Sequence, residues 1–277
     1  MAGEGSQVNP MEHSLDSDEF HFPGNSAFNV HEWTSEKVFG GPDVDLYFPG
    51  LTKFMFIELV VAGLMLLLMF VVGWNLRRNG YAKGWLANLI EAMMGYVRDN
   101  IARVTIGHDA DKHVPYLWSL FFFILGMNLF GMIPWMGSPT GALGCTFGLA
   151  ACTFIYIHTS GIIAKGPVGY VAGIVPKVPW PVYFILGPVE AIGHTVKPIM
   201  LAFRLFVNMM AGHTVLFVIL GFIEMTGASL MNLLVTPASV LGTVAISLLE
   251  LFVAFLQAYI FTFLSSLFIG DAVSHHH

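Results

Sequence analysis

Charge is what this chain has least of. Only 11 % of its 277 residues are Asp, Glu, Lys or Arg, against about 25 % in a soluble domain. With apolar runs of about 20 residues, that deficit excludes an ordinary soluble globular fold and predicts a polytopic helical membrane protein. Cysteine is nearly missing as well: Cys145 and Cys152 are the two present. At i and i+7 on one helix they stand about 10 Å apart, too far for a disulfide. No basic tract occurs, which excludes an electrostatic footprint for nucleic acid. No apolar run follows a basic start within the first 40 residues, so no secretory leader is expected.

The charges that remain are unevenly spread. Residues 1–50 hold nine carboxylates and one lysine, whereas residues 75–113 hold six Lys/Arg and four carboxylates. Residues 1–50 therefore read as an acidic extramembrane N-terminal arm, punctuated by Pro23, Pro42 and Pro49. Residues 51–277 read as the membrane domain. Spanning helices are expected at about 54–74, 115–134 and 143–164. Residues 84–105 differ: Leu86, Leu89, Ile90, Met93, Met94, Val97 and Ile101 recur at helical spacing between charges, as in a helix lying on a membrane surface.

Two longer apolar stretches follow, 181–223 and 233–269. As helices each would run roughly 55–65 Å, against a hydrocarbon core of about 30 Å. Neither contains a polar turn, and Pro198 and Pro237 kink a helix without having to end it. The expected fold is therefore all-α, with about five spanning helices, one membrane-surface amphipathic helix, and a long tilted hairpin made by the last two helices. Lys and Arg place 75–113, Lys165 and Lys177 on the cytoplasmic side. Five crossings then put the N-terminus outside and the C-terminus in the cytoplasm.

Those two stretches carry the chemistry. Between Lys197 and Glu224, Arg204 is the one permanently charged residue. An arginine inside a membrane helix costs roughly 2.5–3.5 kcal/mol on insertion scales, and it cannot escape by losing its proton. Glu190, Lys197 and Arg204 fall at i, i+7 and i+14. Seven residues come within about 20° of two full turns, so the three share one face. Asn208 is one turn beyond, while His213 points to the opposite face. On the second stretch Thr243, Ser247, Glu250 and Gln257 also share a face. An antiparallel hairpin symmetric about residue 228 sets 250 opposite roughly 206 and 243 opposite roughly 213. That leaves both Arg204 and His213 open as neighbours of Glu250. Taken singly, Asn128, Thr243 and Ser247 suit hydrogen bonds between helices. Glu190, Arg204 and Glu250 together mark an ion or proton route.

Lys197-Pro-Ile-Met-Leu-Ala-Phe-Arg204-Leu-Phe-Val-Asn208-Met-Met-Ala-Gly-His213, followed by Leu256-Gln257-Ala-Tyr-Ile-Phe, resembles subunit a of the rotary F-type ATP synthase. The resemblance extends over most of 51–270, and Met127-Asn128-Leu-Phe-Gly-Met-Ile-Pro134 is similar to the family's second spanning helix. It implies a proton-translocating stator with no catalytic site, cofactor or metal of its own. The implied partners are the c-subunit ring, whose subunits each bear one mid-membrane carboxylate, the b-subunit peripheral stalk, other ATP synthase subunits and membrane lipid. The implied location is an energy-coupling membrane, the bacterial inner membrane. The family's essential arginine corresponds to Arg204, its neighbouring asparagine to Asn208 and the last helix's glutamine to Gln257. Glu190 corresponds to a carboxylate of the cytoplasmic half-channel, and His213 with Glu250 to a coupled pair on the outer one. Asn128, Lys197, Thr243 and Ser247 are candidate half-channel lining.

Two other classes compete. A secondary transporter would show inverted repeats, and the two halves share no motif. A haem or metal redox subunit would show facing helical histidine pairs, a spacing that His158, His194 and His213 lack.

Overall fold

The computed structural model describes residues 19–22, 26–29, 53–79, 84–133, 139–167, 169–170, 180–226 and 232–273. From residue 53 onward every described element is helical. α1 is Lys53–Asn79 and α2 is Trp85–Tyr96. α2 runs on through a π-helical stretch, Val97–Ala102, and one further turn, Arg103–Thr105. α3 is Ala110–Gly131 and α4 is Leu143–Lys165. α5 is Trp180–Thr226 and α6 is Asn232–Val273. Five of these helices are long and apolar enough to cross a membrane.

The last two stretches are each one unbroken helix, of 47 and 42 residues. Pro237 lies inside α6 without ending it. α3 begins at Ala110, five residues before the expected start. The charges there do not interrupt it, because they are paired: Asp111 with Arg98 at 2.9 Å, Lys112 with Asp109 at 2.7 Å. Asp111 in the first turn also suits the positive end of the helix.

Two features fall outside the expectations. The acidic arm contains an antiparallel ribbon of β1 (Glu19–Phe22) and β2 (Ser26–Asn29), with Phe20 opposite Phe28. The amphipathic face of 84–105 is also not uniform. Ile90, Val97 and Ile101 are buried, whereas Leu86 and Leu89 are exposed. A π-helical stretch takes more residues per turn than an α-helix, so one α-helical stripe cannot continue through 97–102.

The chain divides into two compact units. One comprises residues 1–63, 126–142 and 206–254; the other comprises 64–125, 143–205 and 255–277. In the second unit, Val97, Ile101, Leu117, Ile124, Leu205, Phe261 and Ile269 are fully buried. Polar links run between its helices. The Trp118 indole donates to the Met94 carbonyl at 2.9 Å, the Tyr116 hydroxyl donates to Thr153 at 3.0 Å, and the Tyr116 and Tyr156 rings stack at 3.7 Å. The Arg98 guanidinium, outside the spans, holds its proton above its ordinary value because it bonds Asp111.

Candidate functional site: an exposed arginine and a buried carboxylate

In the first unit, α5 and α6 pair antiparallel. Ile219 lies against Gly242, and Gly212 lies against Glu250. The Glu250 carboxylate takes the space a side chain at 212 would need: a Cβ there would stand 2.7 Å from Oε1. Glycine is what admits the carboxylate, and this role of Gly212 was not read from the sequence. Its signal is a glycine directly before His213 in an otherwise apolar run.

The observed pairing also corrects the expected register. Residue 250 opposes 212, not roughly 206. α5 extends through Glu224 to Thr226 and α6 starts at Asn232, which moves the hairpin's midpoint past 228. Of the two neighbours left open, this register brings Glu250 beside the residue preceding His213. Glu250 is buried, and among the described residues its Oε1 has no hydrogen-bond partner; His213 Nε2 is in the same condition. Asn128, fully buried, donates from Nδ2 to the Ala254 carbonyl at 3.3 Å, and its Oδ1 has no partner among the described residues. An unpaired buried polar atom costs about 1–3 kcal/mol, and such atoms are ordinarily met by a water, an ion or a partner group.

Thr243 bonds within its own helix, to the Ser239 carbonyl at 2.9 Å, and among the described residues not across to a neighbour. Ser247 and Asn208 are half-buried.

In the second unit, Leu201, Ala202 and Leu205 turn inward and are buried. Arg204 lies on the other side of the helix and is exposed, beside Met200 at 61 % and Phe203 at 44 % exposure. Among the described residues it makes no hydrogen bond or ion pair. Lys197, also exposed, holds its ammonium 5.1 Å from the centroid of the Phe268 ring, a cation–π contact the sequence did not reveal. Gln257 is buried. Glu190 belongs to α5, and its side chain lies outside the described residues.

Residues 55–270 match the family described as ATP synthase A chain. The chain belongs to that family. Among its relatives, ATP synthase subunit a of Myxococcus xanthus is 40 % identical over 96 % of this chain and 88 % of its own length. ATP synthase subunit a of Chloroherpeton thalassium is 38 % identical over 97 % of this chain and 78 % of its own length. In an Anaeromyxobacter relative of the same name, 44 % identical, the match covers 81 % of this chain and 55 % of that protein. A member of the ATP synthase A chain family is a membrane-sector component and not the catalytic subunit. Five apolar helices and bacterial relatives agree with a multi-pass membrane protein.

Proposed function

We propose that this chain is the proton-translocating stator of an F-type ATP synthase. It offers two offset half-channels to the carboxylates of a c-subunit ring, with a b-subunit stalk holding it in place. The observation that carries this reading is Arg204: a permanent cation exposed among apolar side chains on a helix apolar enough to span a membrane, without a partner among the described residues. Its counter-ion belongs to another chain.

The mechanism follows from charge. A ring carboxylate within about 4 Å of Arg204 gains about 4 kcal/mol at an effective dielectric near 20. That favours its ionised form by about 10³. The arriving acid gives up its proton toward Glu190. Past Arg204 it takes a proton from the side of Glu250 and His213 and turns into lipid neutral. Asn208 and Gln257 flank this exchange. Asn128, Lys197, Thr243 and Ser247 line the approaches. The fixed charge of Arg204 repels protons and keeps the half-channels separate. One proton crossing about 100 mV yields about 2.3 kcal/mol, so a ring that gathers several of them serves one ATP. The acidic arm, 1–50, faces outside, and the C-terminus faces the cytoplasm.

Purification in mild detergent tests the assignment. A ring of small hydrophobic subunits should accompany the chain. Isolation without a ring, or with a bound chromophore, would overturn it.

A further inference from the structure

Within the second unit, Ala258, Thr262, Ser266 and Gly270 recur every four residues on α6, and all are buried. Small residues let helix backbones approach closely, and at Gly270 the approach reaches its limit. A Cβ on Gly270 would collide with the Thr105 carbonyl oxygen and stand 3.1 Å from its carbonyl carbon. One turn earlier, Ser266 Oγ lies 2.5 Å from Thr105 Oγ1. The Thr105 hydroxyl also lies 2.9 Å from the Ile101 carbonyl. Either hydroxyl can donate in the Ser266–Thr105 pair. Ile101 belongs to the π-helical stretch, a form that appears frequently at functional positions. Arg98 of that stretch pairs with Asp111 at 2.9 Å, and the Trp118–Met94 bond ties α2 to α3.

We propose that Gly270 and Ser266 are positioning residues. They latch the C-terminal end of α6 to Thr105, and the latch sets the axial position of Gln257 on the same helix. Gln257 lies 13 residues earlier, about 20 Å along an unbroken helix. The contact at Gly270 is with backbone, which no rotamer change relieves, so added volume displaces the helix. The claim for Gln257 rests on the proton route proposed above; the latch itself does not.

The experiment uses membranes holding the assembled complex, with Cys145→Ser and Cys152→Ser as background. Thr105→Cys with Ser266→Cys should form a disulfide in most chains on mild oxidation, because the two side chains already touch. Gly270→Ala should lower that yield about 5-fold. Tested alone, it should lower ATP-driven proton pumping by a similar factor, with the amount of assembled subunit unchanged. Ser266→Ala should lower pumping, and Ser266→Cys, which adds no carbon and keeps a weak S–H donor, should retain more of it. Little cross-linking with Gly270 in place, or an undiminished yield in Gly270→Ala, overturns the latch. A reduced yield with unchanged pumping overturns the positioning of Gln257. Efficient cross-linking in a background enzyme that never pumps protons leaves the latch standing and sinks the proposed function instead.

Discussion

Arg204 and Glu250 are both isolated charges in long apolar helices, and the fold treats them in opposite ways. Arg204 is exposed among Met200 and Phe203, while Glu250 is buried against Gly212. Both placements cost free energy in a membrane. The buried carboxylate has its surroundings supplied by this chain: a glycine opposite that makes room, and a histidine next to that glycine. The exposed guanidinium has no such surroundings among the described residues. On the function proposed above, a fixed proton site is built the first way. A site that must release its partner and meet a new one is built the second way.

The sharpest break of this contrast is Arg204→Ala. It should lower ATP synthesis in energised vesicles about 10³-fold, the factor its attraction supplies, and open a passive proton leak; vesicles that still made ATP would refute its role. Glu250→Gln should slow proton uptake about 10²-fold, the scale of a lost acid–base group, with no leak in a fluorescent pH assay. Exchanging His213 and Glu250 should retain more activity than either single loss, and an exchange no better than the singles would end the claim of coupling. Gly212→Ala should cut pumping about 5- to 10-fold by overpacking the carboxylate; full activity would mean that Glu250 has room to spare. Lys197→Gln should have the smallest effect, since an exposed cation–π contact is worth about 0.5–1 kcal/mol. Less than about a 5-fold change in pumping is expected, and a complete loss would place Lys197 among the essential charges.

Much of the fold was legible because charges and turn residues bound the apolar runs. The third spanning segment, expected at 143–164, is Leu143–Lys165, and the two long stretches are single helices with ends within a few residues of expectation. Where charge does not mark a boundary, legibility fails. Glu224 reads as part of a turn but continues α5, and this shifts the partner of Glu250 from roughly 206 to 212, six residues or about 9 Å of helix. Gly212, Gly270 and the contact of Lys197 with Phe268 depend on that register between elements, which no single helix period encodes. The π-helical stretch leaves no period of its own, and two four-residue strands in a polar arm are too short to stand out from loop.

The central claim is that the partner of Arg204 is a carboxylate supplied in turn by a rotating ring. A structure of the assembled membrane sector measures it directly, through the distance from the Arg204 guanidinium to the nearest ring carboxylate. The account predicts about 4 Å, or one bridging water, for one ring subunit at a time. Ring carboxylates all more than about 10 Å from Arg204, where the attraction falls to under half its value at about 4 Å, would contradict it.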